Sequence, residues 1–470
     1  MLALLSSGII SGLGGCVDGR DRNPRSAPTE SPTTTPPIDS SRSPGTPPED
    51  PPSPDPNTPP DGWPPPAWKP EWTHGVPVSH IVGLDVVDDR LVITANGVPG
   101  PTIVQAYDTD DRTVLWERKF EGGAIPNSML DRGPVERTWG ITDTGSALLS
   151  VTGVEDERWS ELHALVPESG EQRWSLRRDR ELAVRGVVDG TIYLLAREFE
   201  EETTADHHFE SDTPTPEPLR ARLVAVELTD GSVNWNREFT GVGDVSASDS
   251  GVFVAVMNRL LRFDHDGHRD WVVRGNSRGT AIYPTAHETF YVSKPEWNRM
   301  VVRGVTTDGR VRWRHRFDAD EAVARGDRLY VAGGELARIR PDGTVEWRTE
   351  RHAGRLTFPP TRQTIYIRTG RQADAVSAIS QGDGSVQWTF DPPLNNAWPE
   401  SATDETVVVG GIGQIQGGVR SPLYRVNASD GEPTARYLDR DSLTTHPFGD
   451  HVFVGSGDYD TGGRLLALPL

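Results

Sequence analysis

The chain has 470 residues, a formal net charge of −21 and a single cysteine. One cysteine excludes an intramolecular disulfide, a haem attached through two cysteines, and a cysteine-rich zinc or iron–sulfur site. The 69 Asp and Glu residues outnumber the 48 Lys and Arg residues, which argues against nucleic-acid binding because a phosphate backbone requires clustered basic residues. No apolar run reaches the roughly 18 residues that a membrane-spanning helix needs.

The basic residues are almost all arginines, since Lys69, Lys119 and Lys294 are the only lysines. Many carboxylates with very little lysine are typical of proteins from brines, because carboxylates stay strongly hydrated and salt screens their mutual repulsion. We therefore predict a halophilic, haloarchaeal protein that unfolds at low salt. An ordinary acidic surface in a GC-rich organism, whose codons favour arginine, is the alternative.

The N-terminus has the features of a secretory signal, a short apolar stretch followed by small residues. Residues Leu13-Gly14-Gly15-Cys16 resemble the lipobox of secreted lipoproteins, a family in which the cysteine thiol is lipidated. The resemblance assigns residues 1–16 to a signal peptide with a lipobox and Cys16 to lipidation. It implies a location at the extracellular face of the cell membrane, held there only by the lipid anchor. An incidental cysteine is the alternative.

Residues 17–70 are built largely from Pro, Ser, Thr, Asp and Gly, and hold nearly half of the 39 prolines. Proline fixes φ and removes a backbone donor, so this segment is predicted to be a disordered, extended stalk. The stalk would hold residues 71–470 away from the membrane surface.

The remainder of the chain is an internal repeat: an apolar strand, a turn ending in glycine, and a tryptophan four residues after that glycine. The copies contain Gly170 and Trp174, Gly231 and Trp235, Gly267 and Trp271, Gly309 and Trp313, Gly343 and Trp347, and Gly384 and Trp388. A further copy contains Trp116 but has Arg112 at the glycine position. A degenerate copy keeps Asp430-Gly431 but has lost the tryptophan.

Each repeat is predicted to be a small antiparallel sheet. The glycine supplies the positive φ of a tight hairpin, and the turn fixes the register, so that the tryptophan always reaches the same face of the next strand. Short β-branched and aromatic runs such as Thr191–Leu195, Arg328–Val331 and Thr364–Ile367 supply a further strand before the repeat. Sheets with two apolar faces must stack on one another, and a closed ring protects their edges.

The repeat resembles that of the pyrroloquinoline-quinone (PQQ)-like family, which includes quinoprotein dehydrogenases and BamB-type lipoproteins. This resemblance implies an all-β fold, a β-propeller of four-stranded blades over residues 71–470. Eight blades are typical of the family and are our first prediction, whereas the sequence itself offers nine candidate blades. The segment around Trp72 is predicted to complete the last blade, since no tryptophan strand follows His451–Leu470.

The family's enzymes stack PQQ between a tryptophan and a disulfide of adjacent cysteines, beside a calcium ion held by Glu, Asn and Asp. The disulfide cannot form here, and no cofactor ligand can be assigned to this sequence by the resemblance. We therefore predict no catalytic residues, no metal ligands and no cofactor. PQQ with calcium is retained as the alternative.

Other short motifs have ordinary explanations. Gly275-Asn-Ser277-Arg-Gly279 matches the nucleophile elbow, but a strand rather than the required helix is predicted after it. Asp264–Gly267 and Asp458–Gly462 resemble fragments of calcium loops without the complete ligand pattern, so turn chemistry is preferred. Asp206-His207-His208 lies in an acidic insertion, where adjacent histidines on an extended chain point apart.

Asn427 begins the sequon Asn427-Ala-Ser429, so it is a candidate glycosylation site. The resulting hypothesis is a non-catalytic, monomeric cell-surface lipoprotein whose propeller binds a protein partner or other surface ligand, and no nucleic acid. A PQQ-dependent oxidoreductase and a BamB-like assembly scaffold are the alternatives. Long insertions at Glu121–Arg137, Glu198–Arg220 and Gly411–Pro422 are predicted to be contact regions.

Overall fold

A computed structural model of the chain describes most of residues 65–470, all within the compact unit Gly62–Leu470. The gaps in this description are residues 77–79, 88, 97–100, 125–140, 155–158, 199–219, 276–278, 287, 297–298, 351–352, 371–373, 395, 416–417, 440–441 and 459–461.

The described residues form strands in chain order, and each blade is one sheet. Strand β1 (Trp72–Val76) comes first. Blade 1 contains β2 (His80–Val87), β3 (Arg90–Asn96), β4 (Thr102–Asp108) and β5 (Thr113–Phe120). Blade 2 contains β6 (Gly123–Ala124), β7 (Ile141–Asp143), β8 (Leu148–Val154), β9 (Trp159–Leu165) and β10 (Gln172–Arg178), with β6 and β7 both paired to β8.

The next three blades are regular. Blade 3 contains β11 (Glu181–Val188), β12 (Thr191–Arg197), β13 (Arg220–Glu227) and β14 (Val233–Thr240). Blade 4 contains β15 (Val242–Ser248), β16 (Gly251–Val256), β17 (Arg259–Phe263) and β18 (Arg269–Arg274). Blade 5 contains β19 (Gly279–Pro284), β20 (Glu288–Glu296), β21 (Arg299–Thr306) and β22 (Val311–Phe317).

The last four blades complete the ring. Blade 6 contains β23 (Ala319–Arg325), β24 (Arg328–Gly333), β25 (Leu336–Ile339) and β26 (Val345–Thr349). Blade 7 contains β27 (Ala353–Thr357), β28 (Thr364–Thr369), β29 (Ala375–Ser380) and β30 (Val386–Phe390). Blade 8 contains β31 (Asn396–Ala402), β32 (Thr406–Ile415), β33 (Gly418–Asn427) and β34 (Pro433–Asp439). Blade 9 contains β35 (Ser442–Phe448), β36 (His451–Asp458) and β37 (Gly462–Pro469), together with β1.

The predicted all-β propeller of four-stranded blades is confirmed, and the described residues form nine blades, the alternative count that the sequence allowed, rather than eight. The nine candidate blades of the sequence each correspond to one strand-like run, and each run is the second strand of one blade. These strands contain Leu91, Leu148, Ile192, Phe253, Phe290, Leu329, Ile365, Val407 and Phe453. The ninth blade is complete because β1 supplies its fourth strand. No helix that could span a membrane occurs in the part of the chain that the structure describes.

The first strand of each blade lies innermost and the fourth outermost. First strands of successive blades contact each other, as β11 does β15 and β27 does β31, whereas the fourth strands alternate exposed and partly buried residues. The apolar core lies between adjacent sheets: the cluster around Phe290 and Val331, for example, joins blades 5 and 6. Contacts of β2 with β35 and β36 close the ring.

The two ends of the chain meet in blade 9. Strand β1 pairs antiparallel with β37, which places Trp72 opposite Ala467. The Glu71 carboxylate lies 2.7 Å from the His451 ring of the same blade and 2.5 Å from the Arg112 guanidinium of blade 1. The hydrogen bond from His451, aided by the charge of Arg112, holds the pKa of Glu71 below its ordinary value. This junction therefore joins the first and last blades.

Each repeat glycine lies in the hairpin between the third and fourth strands of its blade, against the tryptophan of the preceding blade. Gly231, for example, has φ of 75°, and a Cβ there would lie 2.8 Å from the Trp174 ring. The indole Nε1 of Trp174 donates to the Leu228 carbonyl of the same turn, at 2.8 Å. The indole is thus both packed on and hydrogen-bonded to the next blade.

Seven blades dock a tryptophan in this way. The corresponding donors are Trp116, Trp174, Trp235, Trp271, Trp313, Trp347 and Trp388, with nitrogen-to-oxygen distances of 2.6 to 3.0 Å. The glycines that they meet are Gly170, Gly231, Gly267, Gly309, Gly343, Gly384 and Gly431, all with positive φ. Arg112 stands at the glycine position of blade 1 and also has a positive φ, 58°.

Blade 8 lacks a tryptophan on its fourth strand, and the chain supplies one from another segment. Trp68 is only 4% exposed, and its indole donates to the Pro469 carbonyl of blade 9 at 2.8 Å. It packs with Ala435, which stands where other blades have the tryptophan. Residues 65–70, assigned to the stalk on composition, therefore pack on the propeller, because a buried indole outweighs the effect of the flanking prolines.

We predict that Gly231→Ala destabilises the protein more than Gly190→Ala does. Both glycines belong to blade 3 and have φ of 75° and 77°, but the added Cβ meets the Trp174 ring only at position 231. Overpacking of this kind costs about 1–3 kcal/mol beyond the backbone strain that both variants share. Chemical denaturation of the two variants measures the difference, and equal losses would contradict indole docking on the glycine.

Trp68→Ala is expected to lower the free energy of unfolding by about 3–5 kcal/mol, because it removes a buried indole between blades 8 and 9. Lys69→Ala is the matched control, since Lys69 is the exposed neighbour. Denaturant titration followed by far-UV circular dichroism provides the measurement. A Trp68→Ala variant as stable as the control would show that the segment 65–70 does not contribute to ring closure.

Candidate functional site

The inner edge of the ring is lined by polar side chains that connect one blade to the next. The Asp244 carboxylate on β15 accepts the Ile282 N–H of β19 at 2.9 Å and lies 4.0 Å from the Arg185 guanidinium of β11. The Tyr283 hydroxyl of β19 donates to the Ala322 carbonyl of β23 at 2.5 Å. These groups therefore tie the first strands of blades 3 to 6 together.

The most elaborate part of this edge spans blades 6, 7 and 8 and is called here the Arg355 cluster: Glu321, Arg355, Trp398 and Glu400. Glu321 accepts the Arg355 N–H at 2.5 Å, while the Arg355 guanidinium donates to Glu400 at 3.0 Å. The same guanidinium lies 5.0 Å from the centroid of the Trp398 ring, whose Nε1 donates to Glu400.

Arg355 holds an unfavourable backbone conformation, with φ of 47°. A non-glycine residue in this region costs about 1–2 kcal/mol, and such strain is concentrated where surrounding contacts impose it. Here the main chain is held by the hydrogen bond to Glu321, and the side chain is held by Glu400, which is 12% exposed. The cluster is therefore a constrained, charged patch that a ligand entering the ring would meet.

To hold PQQ with calcium, the Arg355 cluster would need an open tryptophan face and free carboxylates. One face of Trp398 is covered by Arg355, and the Glu400 carboxylate already accepts from Arg355 and Trp398. Glu321 accepts main-chain N–H groups of Arg355 and Leu356. Because the carboxylates are engaged by donors and the disulfide is impossible with one cysteine, this cluster does not fit the quinone and its cation.

A buried histidine lies at the interface of blades 1 and 2. His163 is 5% exposed and stacks on Phe120 with ring centroids 4.2 Å apart. Its Nε2 lies 2.9 Å from the Thr152 hydroxyl, and its Nδ1 lies 3.1 Å from the Gln172 amide oxygen. Burial lowers the pKa of His163 from its ordinary value of 6.5, although Glu161 and Gln172 act in the opposite direction. The ring is therefore held neutral.

A surface cavity of about 480 Å³ lies between blades 5 and 6. Its lining pairs opposite charges: Arg312 lies 2.7 Å from Glu288, and Arg328 contacts Asp327. Arg328 and Arg340 both reach Glu346, at 3.0 and 2.5 Å. Because these charges neutralise one another, the cavity supplies no excess charge to a ligand.

The calcium-like segment of blade 4 lies on the hairpin between β17 and β18. One donor atom each from Asp264, Asp266 and His268 lie within 4.8 Å of one another. The Asp264 carboxylate accepts the His268 N–H at 2.7 Å, so it takes part in closing the turn. The second segment, Asp458–Gly462, includes residues 459–461, which lie outside the described residues.

Other candidate residues are scattered. Cys16, Asp206-His207-His208 and Ser277 lie outside the described residues, and Gly279 begins β19, a strand where the nucleophile elbow needs a helix. Asn427 is the last residue of β33, at the start of the turn to β34, and its side-chain oxygen accepts from the Ser429 N–H at 2.9 Å.

The three predicted contact regions differ in what the structure describes. The segment Gly411–Pro422 is not the predicted loop insertion, because β32 and β33 continue as a long hairpin that pairs Gly413 with Arg420. Most of Glu121–Arg137 and Glu198–Arg220 lies outside the described residues.

Sequence reasoning missed the Arg355 cluster and His163. The alternation in β31, where Asn396, Trp398 and Glu400 share one face, was the available signal. The partners of that face come from β23 and β27, tens of residues earlier, and no local pattern connects them. His163 likewise acquires its environment from Phe120 of another blade.

The ring of blades with docked tryptophans defines a propeller of the PQQ-like repeat class. The chain belongs to the family whose model is described as "Outer membrane protein assembly factor BamB", which matches residues 198–316 and 298–445, more than half of the sequence. This match confirms the PQQ-like family that the repeat predicted. No curated protein matches the chain.

Solved structures with similar folds have low sequence identity. BamB from Moraxella catarrhalis is 14% identical with a TM-score of 0.44, covering 84% of this chain and 98% of that one. Quinohemoprotein alcohol dehydrogenase from Comamonas testosteroni is 12% identical with a TM-score of 0.44, covering 85% and 76%. Sqt1 from Saccharomyces cerevisiae is 8% identical with a TM-score of 0.47, covering 86% and 100%.

We predict that acidification destabilises the protein partly through His163. Its pKa is lowered in the folded state, so the unfolded chain binds the proton first as the pH falls below about 6.5. The stability that the neutral ring contributes is therefore complete above that pH and is lost below it. The free energy of unfolding of the wild type should fall more than that of His163→Gln between pH 7.5 and pH 5.5, measured by denaturant titration. Parallel losses in the two proteins would contradict this role.

Proposed function

We propose that this chain is a halophilic, lipid-anchored cell-surface protein whose propeller binds a partner protein without catalysis. The observation that carries this proposal is the Arg355 cluster, in which the carboxylates and the tryptophan face are engaged by groups of the protein itself. A ring whose inner polar groups serve to join blades leaves its outer surface and hairpins for recognition. In this proposal the propeller acts as a monomer and binds no nucleic acid.

The outer strands support a binding role. Several of them expose large apolar side chains: Val114 and Leu115 on β5, Val233 on β14, Val272 on β18 and Val311 on β22. These residues are between 38% and 44% exposed, beside charged neighbours. Apolar side chains make up most of the core of a protein interface, so these residues are available to be buried against a partner.

The extracellular location is proposed from the lipobox-like segment ending at Cys16 and the proline-rich residues that follow it. A scaffold in membrane-protein assembly is the second candidate, because the matching family model is described as an assembly factor. This candidate conflicts with the proposed haloarchaeal source, since those cells lack the outer membrane in which such factors work.

A capture experiment tests the partner-binding role. We expect the full chain, purified in its native salt, to retain a specific protein from cell extract that the same chain unfolded by removing salt does not retain. In parallel, PQQ with calcium is expected to produce no dye reduction. Quinone-dependent dye reduction that is lost in Trp398→Ala would contradict the proposal and favour the oxidoreductase.

The anchor is tested separately. Cys16→Ser is expected to move the protein from the membrane fraction to the medium and to abolish metabolic labelling with a lipid precursor, because the thiol is the proposed site of lipidation. Ser7→Ala, in the same segment, is the control and should keep both properties. Membrane association that survives Cys16→Ser would contradict lipid anchoring at this residue.

A further inference from the structure

A row of arginines occupies the exposed face of β22, the outer strand of blade 5. Arg314 and Arg316, which form this row, are exposed and alternate with partly or fully buried residues, whereas Arg312 lies at a β-bulge opposite Gly304 and Val305 and reaches Glu288. Alternate residues of a strand share one face, so the guanidinium groups form a line. In a protein with a net charge of −21, this line is a local reversal of the overall charge.

The arginines that precede this row have counter-ions. Arg310 lies 3.2 Å from Asp308 and Arg312 lies 2.7 Å from Glu288. Across the described ranges, no carboxylate lies within ion-pair distance of Arg314 or Arg316. The row itself, Arg314 and Arg316, therefore carries uncompensated positive charge.

A further arginine lies behind the row. Arg303 on β21 pairs directly with Arg314, yet it is only 4% exposed. Its Nη1 donates to the Ser293 hydroxyl at 2.8 Å, and within the described part of the chain no carboxylate balances its charge. A buried charge without a counter-ion is costly, and a like charge directly opposite adds to that cost.

A buried hydroxyl beside Arg303 is also unused. Tyr291 is fully buried, its ring centroid lies 5.8 Å from the Arg303 guanidinium, and its hydroxyl has no hydrogen-bond partner among the described residues. The hydroxyl lies toward blade 4, where a Cβ on Gly275 would be 3.5 Å from it. Two buried groups that can donate to an anion, Tyr291 and Arg303, thus lie beneath the exposed Arg314.

The edge of β22 is open. It is the last strand of its sheet, and the only isolated bridge in the described part of the chain joins Ala67 to Arg436 of β34. That bridge shows how an outer strand of this propeller accepts an extended segment. The main-chain N–H of Trp68 donates to the Arg436 carbonyl at 2.6 Å, and the main-chain N–H of Arg436 donates to the Pro66 carbonyl at 2.9 Å. The equivalent edge of blade 5 has the arginine row instead.

We propose that β22 binds an extended acidic segment of the partner protein, added along its open edge with carboxylates facing Arg314 and Arg316. Alternate acidic residues of such a segment would match the period of the arginines. The carboxylate at Arg314 is also attracted by Arg303, which lies on β21, one strand spacing of about 4.8 Å from β22. This inference rests on the proposed partner-binding function and identifies the kind of partner.

The probe is a short fluorescein-labelled peptide in which Glu alternates with Val, compared with the same peptide containing Gln for Glu. Fluorescence anisotropy is measured with the full chain at the lowest salt concentration that leaves its circular dichroism unchanged, because salt screens such contacts. We expect the Glu peptide to bind and the Gln peptide to bind at least about tenfold more weakly.

Two variants locate the site. Arg314→Gln should lower the affinity for the Glu peptide by about tenfold or more. Arg173→Gln, an equal change of charge on the outer strand of blade 2, should leave that affinity unchanged. Arg303→Met should also lower the affinity for the Glu peptide. It should not lower the thermal midpoint of unfolding, because it removes a buried charge that has no counter-ion. A merely structural arginine would lower the midpoint.

Equal loss of affinity in Arg314→Gln and Arg173→Gln would overturn the proposal, and so would no binding of the Glu peptide. The proposal would also fail if inorganic phosphate raised the thermal midpoint of unfolding while the peptide did not bind. If the chain still captures a partner from extract, the failure concerns only the surface on β22. If capture also fails, the partner-binding function itself is contradicted.

Discussion

The structure depends on one interaction, a tryptophan of each blade packed on a glycine turn of the next. The indole supplies a large apolar surface, while its N–H donates to a carbonyl of the turn. Because a Cβ would occupy the place of the ring, the glycine is required by contact as well as by φ. A contact that extends from blade to blade makes each sheet dependent on its neighbours, so stability belongs to the ring rather than to any blade.

Closure of the ring is where this rule has exceptions, and each exception has a compensating contact. Blade 8 has Ala435 in place of the indole, and Trp68 fills the space. Blade 1 has Arg112 in place of the glycine, and the guanidinium pairs with Glu71, next to the strand that completes blade 9. The segment from residue 65 to Val76 therefore supplies both a strand and an indole to the closing blades.

Charge is distributed differently at the two edges of the blades. At the inner edge, the Arg355 guanidinium pairs with Glu400 and the Arg355 N–H donates to Glu321, so these groups join blades and hold the strained backbone of Arg355 in place. At the outer edge of blade 5, Arg303 and Arg314 face each other without carboxylates in the described residues. A buried charge without a counter-ion is costly, and this cost at Arg303 is the reason for proposing an acidic ligand at this edge.

The sequence alone determined the repeat, the all-β class and the strand positions, because Asp-Gly turns and β-branched runs act through local geometry. It even offered nine second strands, although the family's usual count favoured eight. Only the tertiary structure decided that Trp68 replaces a missing indole, that Gly411–Pro422 is a hairpin, and that Arg355 lies between Glu321 and Glu400. These features join residues far apart in the chain, and burial and charge pairing between blades have no signature in local sequence.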